Sequence, residues 1–320
     1  MSKQFHVIGA GMAGLFAAAV LRDQCVRVWE RQKSLPNNHG ALLRFRSSVV
    51  ADALNIPFRK VHVMKAVENP SNNPIRDAIL YSRKTTGKAI LRSIVSAEGK
   101  MEERFIAPPN LVQLMQQKVM APIFYEIDWS PEHPSSGSHA EPIISTLPMP
   151  LLMDLLEYEP RPVFDYIQGY SITCTVPNVD MFATLYFPRT CAAYRASITG
   201  DQLIIEYSER TRSTLISDLG RGEFSPRAYA ELTMILDLFG LPEMIMGDPV
   251  IKSATYAKIV PIDEDIRKRF IMWASDEHSI YSFGRFATWR PGLLLDDLLG
   301  DLRVIQKLAT GGTAYDHRKL

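Results

Sequence analysis

The chain has 320 residues, of which 46% are hydrophobic and 22% charged, and its formal net charge is +1. That length suits one large domain or two modest ones with a sizeable core, and that composition excludes a disordered chain, a collagen-like chain and a disulfide-stapled miniprotein. The charge is uneven: residues 31–104 carry 14 Lys/Arg against 6 Asp/Glu, whereas residues 105–320 carry 19 against 27, an asymmetry that draws an anionic ligand to one side or else marks a solvated basic face.

In chain order, residues 4–9 read as a short buried strand that breaks at glycine, residues 12–21 as an Ala- and Leu-rich helix, and residues 26–30 as a second strand, the opening of a βαβ unit. Residues 36–40 are a loop signal, and 51–104 are assigned to a first excursion from this nucleotide-type fold. Ala107-Pro108-Pro109-Asn110 can start a helix over 111–120, with a strand over 123–127. Residues 130–142 are the most loop-like stretch, followed by a buried strand over 143–148. From about 156 to 274, strand-like runs at 170–176 and 203–207 and a helical run at 227–239, ended by Gly240 and Pro242, describe a second, mixed α+β domain.

Several chemistries drop out. Cys25, Cys174 and Cys191 are odd in number and far apart, which argues against a disulfide framework and a zinc ribbon and fits a reducing cytoplasm. The apolar stretch at 7–21 is broken by three glycines and has no basic leader, so neither a signal peptide nor a membrane span is expected. None of the histidines, His133 and His139 in the polar loop included, forms a metal-spaced pair, so no metal site is expected. There is no G-x-S-x-G and no Walker lysine.

What remains is Gly9-Ala10-Gly11-Met12-Ala13-Gly14, a G-x-G-x-x-G directly after a strand and at the head of a helix. Gly9 permits the tight turn, Gly11 lets backbone approach a pyrophosphate, Gly14 allows close helix-to-strand packing, and the helix N-terminus offers N–H groups to phosphate. Glu30, at the end of the second strand, stands where a carboxylate accepts hydrogen bonds from adenosine ribose hydroxyls.

FAD and NAD share this fingerprint. The opening Val7-Ile8-Gly9-Ala10-Gly11-Met12-Ala13-Gly14-Leu15 with Glu30 resembles that of flavin-dependent amine oxidases and UDP-galactopyranose mutases. Ile280-Tyr281-Ser282-Phe283-Gly284-Arg285-Phe286-Ala287-Thr288-Trp289-Arg290, followed by 293–299, is similar to the strand, turn and helix with which that superfamily returns to its flavin, and Ile144-Ser145-Thr146-Leu147-Pro148 to its central strand. The resemblance touches both ends and the middle of the chain; the substrate domain between them matches nothing. It implies FAD as cofactor, with Gly9, Gly11, Met12, Ala13, Gly14, Glu30 and Arg31 at its ADP half, Gly284 and Arg285 beside the pyrophosphate or ribityl, and Leu293 and Leu294 ahead of a helix whose N-terminus stabilises charge on the reduced ring. Arg44 is assigned to an FAD phosphate and Arg46 to a substrate carboxylate, in the segment that begins at Gly40, with a solvated surface cation as the alternative for either. Trp289 and Arg290 fall on the substrate side. Tyr256 and Lys258 are the candidate catalytic residues, against a core tyrosine and an exposed lysine. Asp296 and Asp297 are acids of a first helical turn, expected from the helix dipole, or else flavin-adjacent acids. The Gly284-Arg285 return is closer to the mutase pattern than to the Gly-Asp of many flavoproteins.

The expected fold class is therefore α/β: a Rossmann-like FAD-binding domain, discontinuous over 1–50, 105–155 and 275–320, with an inserted mixed α+β substrate domain over 51–104 and 156–274. The expected function is an FAD-dependent oxidoreductase that oxidises a C–H next to an amine or alcohol by hydride transfer to flavin N5, acting on a small-molecule amine or a nucleotide-linked substrate. The resemblance extends loosely to bacteriophage enzymes that trim amino acids attached to modified thymidine, which makes an amino acid or an amino-acid-modified nucleotide in DNA a candidate substrate. DNA binding would gather Arg59, Lys60, Arg83, Lys84, Lys88 and Arg92 on one face. The alternatives are a non-redox flavin mutase acting on a nucleotide sugar and a nucleic-acid-associated flavin-binding protein. Neither the electron acceptor nor the oligomeric state is legible.

Overall fold

The computed structural model describes residues 3–36, 43–89, 99–132, 141–211, 226–241 and 249–311. Gly40, Arg92, His133, His139 and Pro242 lie outside them. The chain divides into two compact units, one of residues 1–59, 105–165 and 260–320, the other of 60–104 and 166–259.

The first unit opens with β1 (Phe5–Ile8), α1 (Met12–Leu21), β2 (Cys25–Trp29), β3 (Arg44–Phe45) and α2 (Val49–Leu54). The chain leaves through β4 (Arg59–Val67), α3 (Pro74–Thr86) and β5 (Lys100–Ile106), and returns as α4 (Leu111–Lys118), β6 (Ile123–Phe124), β7 (Ile143–Ser145) and α5 (Met149–Leu155). It leaves again for β8 (Tyr166–Thr175), β9 (Met181–Tyr186), β10 (Arg195–Gly200), β11 (Gln202–Ser208), α6 (Pro226–Leu238) and β12 (Val250–Ile259), and ends in the first unit with α7 (Glu264–His278), β13 (Ile280–Ser282) and α8 (Leu298–Ala309).

In the first unit the sheet runs β13-β7-β1-β2-β6 and every pairing is parallel. Its central strand is buried along its whole length, Phe5 to Ile8, as a parallel strand covered on both faces must be. α1 carries Leu15, Phe16 and Ala17 against Val7, Val28 and Ile144, and the same core takes in Met115 of α4 and Leu302 and Ile305 of α8. The second unit is a mixed sheet in the order β12-β8-β11-β10-β9-β4-β5; its β9–β4 pair is parallel, and the other pairings with a known register are antiparallel. Ile172, Ile198, Leu203 and Ile205 bury one face of that sheet under Leu232, Ile235 and Leu236 of α6.

The segment boundaries differ from the sequence expectation at three places. Residues 51–59, 156–165 and 260–274 lie with the parallel-sheet unit and not with the insertion. The first does so because Val50, Leu54 and Ile56 belong to that unit's core; the last because α7 packs beside β13 and sends Arg267 Nη1 to the Thr288 carbonyl at 3.1 Å. β6 stops at Phe124, short of the expected 127, since Glu126 takes a left-handed φ of 58°.

Candidate functional site

The glycine turn has a distinct reason for each glycine. Gly9 sits at φ +88°, and a side chain there would run into the Thr146 hydroxyl, which donates to the Ile8 carbonyl at 2.8 Å. A Cβ on Gly14 would collide with the Gly9 carbonyl. At Gly11 the space is open: nothing lies within 4 Å of where a Cβ would stand. Gly11 is also the N-cap of α1, without a side-chain cap and without an acid in the first turn, so the first N–H groups of a ten-residue helix have no side-chain acceptor from the cap. Those donors and that clearance fit a pyrophosphate.

Glu30 follows β2 and is 9% exposed. One carboxylate oxygen accepts the Ala10 N–H at 2.6 Å and the other the Gln32 N–H at 2.8 Å, which locks the group against the turn while each oxygen keeps a second lone pair for a ribose hydroxyl. Burial, and after it the charge of Glu30, pushes the Tyr125 phenol above its ordinary range. Arg31 is exposed beside it.

The return segment meets this turn. Gly284, at φ +96°, lies so near Ala13 that an added Cβ would stand 2.9 Å from the alanine Cβ. Arg285 stacks over Phe286 with its guanidinium carbon 5.6 Å from the ring centre. Leu293 is buried, and Leu294 is half exposed with its N–H on Asp297 at 2.9 Å. Asp296 and Asp297 hold the loop at 46–47: Asp296 accepts the backbone N–H of Arg46 and Ser47, both at 3.1 Å, and Asp297 takes the Arg46 guanidinium at 2.8 Å. Arg46, expected at a substrate carboxylate, is thus paired within its own unit, and the two acids are engaged as loop anchors. Arg44 lies in β3, opposite Ile106. Trp289, also expected at the substrate, is 1% exposed and gives its indole N–H to the Val260 carbonyl at 2.8 Å. Arg290 pairs with Asp301, whose carboxyl is raised by burial against the pull of Arg290.

In the second unit, β12 bulges where it passes β8: Ala254 pairs with Gly169 and Lys258 with Ile167, so three residues oppose one. Tyr256 lies in the bulge, edge-on to Tyr166 at 4.8 Å, and Lys258 Nζ stands 4.9 Å over the Tyr194 ring. Neither matches the plain alternative of a core tyrosine or a solvated lysine, since both are half-buried. Beside them lies a group that the sequence reading missed, the pair Arg195–Glu206 with Tyr194. A signal for it existed: Gly200-Asp201 between two alternating runs marks a two-residue hairpin turn, and that turn sets Arg195 opposite Glu206.

The expected basic face is interrupted. Lys84 turns inward, donating to the Phe187 carbonyl at 2.7 Å and to the Cys191 carbonyl, and burial holds its amine below the ordinary range. Lys60 pairs with Glu103 at 2.7 Å. Arg59, Arg83 and Lys88 are exposed. Among the described residues no group of three or more His, Cys, Asp or Glu side chains could hold a metal ion.

The parallel sheet, the glycine turn, the acid after β2 and the returning Gly284 together carry the comparison with solved structures. The fold is that of the FAD-binding flavoproteins. The chain is similar to a reduced UDP-galactopyranose mutase at a TM-score of 0.66, with 15% identity over 100% of this chain and 96% of that one. It is similar to a protein from an Exiguobacterium species described as a protoporphyrinogen oxidase (TM-score 0.60, 10% identity, 97% and 99% covered) and to one from Photorhabdus luminescens described as an FAD-containing monooxygenase (0.54, 11%, 99% and 93%). No protein-family model and no curated protein matches the sequence. At these identities the flavoprotein likeness is one of fold.

Proposed function

We propose that this chain is an FAD-dependent oxidoreductase whose cofactor lies on the glycine turn of the parallel-sheet unit. The observation that carries the reading is the clearance at Gly11 above the uncapped N–H groups of α1, with Glu30 locked beside it and Gly284 against Ala13. The helix N-terminus would neutralise phosphate charge, and Glu30 would orient the ribose. Bound there, FAD supplies a hydride acceptor at N5 for a C–H next to an amine or alcohol. Lys258 is the group that would hold a proton beside the substrate, at Nζ, with the Tyr256 hydroxyl as its companion. Burial keeps that phenol protonated to higher pH than usual. An amino acid, or a nucleotide that carries one, fits this reading. Cys25, Cys174 and Cys191 are not joined in disulfides, which suits a reducing cytoplasm.

A flavin mutase without net redox change is the second reading. It is favoured by Gly284-Arg285 and by the full-length likeness to the mutase structure. The test is the visible spectrum of the purified protein, followed by anaerobic titration with amines and amino acids. A flavin spectrum that bleaches on titration supports the oxidoreductase. A flavin that must be reduced beforehand and turns over with no electron acceptor supports the mutase. A protein that takes up no FAD at micromolar concentration refutes both.

A further inference from the structure

On the sheet face of the second unit opposite α6, one arginine is held differently from the arginines that merely brace the structure. Arg195 on β10 stands across from Glu206 on β11 and from Tyr186 on β9, so the three side chains share a face. Glu206 accepts from Arg195 Nε and, at 3.0 Å, from the Tyr194 hydroxyl. Burial alone would raise the Glu206 carboxyl; the guanidinium charge and its hydrogen bond outweigh that and hold it below the ordinary range, while Glu206 in turn raises Arg195 against the pull of burial. Both shifts favour the ionised pair.

The direction of the bond matters. Arg267, a bracing arginine of the first unit, engages its whole fork: Nε and Nη2 on Glu264 and Nη1 on the Thr288 carbonyl. Arg195 meets Glu206 through Nε. Its side chain keeps 27% exposure. The guanidinium is thus fixed in place at a partly exposed position, which removes much of the entropy cost that a long cation pays on gripping a ligand. The Tyr186 hydroxyl lies within hydrogen-bonding reach of the same guanidinium, and burial keeps it protonated and able to donate. Lys258, over the Tyr194 ring, adds its positive charge to the field at Glu206.

We propose that Arg195, with Tyr186 beside it and Lys258 near it, is the substrate-anchoring site of this unit and takes an oxyanion group, carboxylate or phosphate, by parallel N–H···O bonds from its Nη edge. It rests on the flavoenzyme reading only in calling the anion part of the substrate. Neutral amines or alcohols would then be poor substrates beside their acidic counterparts.

The test titrates the full-length protein with inorganic phosphate and, separately, with acetate at constant ionic strength, following heat of binding and melting temperature. A saturable response to one of them is expected, and which one responds identifies the oxyanion. The double variant R195Q/E206Q removes both charges together, so no lone buried ion is left; its affinity should fall about tenfold or more, the scale of a charge-assisted hydrogen bond. Tyr186→Phe should weaken binding a few-fold, about what a neutral donor contributes, and Arg303→Gln, on the exposed side of α8, should not change it. No saturable response to either anion, or unchanged affinity in the folded double variant and in Tyr186→Phe, overturns the proposal. FAD absorbance read on the same samples separates the two readings: anion binding without FAD uptake sinks the flavoenzyme and keeps the site, whereas FAD uptake without anion binding sinks the site alone.

Discussion

Gly11 and Gly14 occupy one motif three residues apart, yet their hydrogens face different things. A Cβ on Gly11 meets open space and its φ of −67° suits any residue, whereas a Cβ on Gly14 meets the Gly9 carbonyl. Gly11→Val should accordingly leave the melting temperature of the cofactor-free protein close to wild type while nearly abolishing FAD uptake, because the branched side chain fills the pyrophosphate's place. Gly14→Ala should instead cost about 1–3 kcal/mol of stability, the scale of overpacking, with or without FAD. Paired thermal melts and flavin titrations check both, and a Gly11→Val protein that retains FAD would show that the turn is not the phosphate site. Glu30→Ala should weaken FAD retention and also release the Ala10 and Gln32 N–H groups, so a modest loss of stability is expected with it.

At the scale of elements, β9 and β10 meet at a buried polar contact: the Thr184 and Ser197 hydroxyls lie 2.9 Å apart, 3% and 0% exposed. Thr184→Val leaves the buried Ser197 hydroxyl without this bond and should cost about 1–3 kcal/mol, and the double variant with Ser197→Ala should cost clearly less than the sum of the two single variants. Urea melts of the four proteins measure that coupling, and strict additivity would mean the hydroxyls do not depend on each other. At the start of α7, the hydrogen bond from Arg267 leads the forces that bring the Glu264 carboxyl down from 4.5 to about 2, against a smaller effect of burial. A depressed folded-state value makes stability that is fully present above about 4.5 and lost as pH falls toward about 2. Glu264 is 57% exposed, so solvent limits this contribution to at most about 1 kcal/mol. Wild type should therefore lose slightly more melting temperature across that window than Glu264→Gln, and equal acid profiles would contradict the assignment.

For the whole molecule, the parallel-sheet unit draws on three separate stretches of chain. A ligand that bridges the first and the last of them, as FAD on Gly11 and Gly284 would, stabilises the folded state by mass action, by about 2.7 kcal/mol at a hundredfold excess over its dissociation constant. FAD should raise the melting temperature of the cofactor-free wild type in a concentration-dependent way and leave that of Gly11→Val unmoved; a shift of equal size in both would place FAD elsewhere. Among the described residues no helix is long and apolar enough to cross a membrane.

Local signals carried the opening βαβ unit. The strand at residues 5–8, the helix at 12–21 and the acid at 30 were legible because a buried run, good helix formers and glycines at set spacing depend only on near neighbours. The discontinuity of the nucleotide-type unit was legible too, since Gly284 had to return to Gly11. The edges of the insertion were not: whether residues 51–59 or 260–274 join one core or the other is decided by which apolar surface covers Val50, Leu54 and Phe270, and that is a tertiary matter. Side-chain fates were hidden for the same reason. A run of charges does not say that Lys84 turns inward to two carbonyls, that Asp296 and Asp297 anchor a loop some 250 residues away in sequence, or that Trp289 is enclosed. The Arg195–Glu206 pair lies between these cases. Its register follows from a two-residue turn, but its depth exists only once β8 to β12 have closed around it.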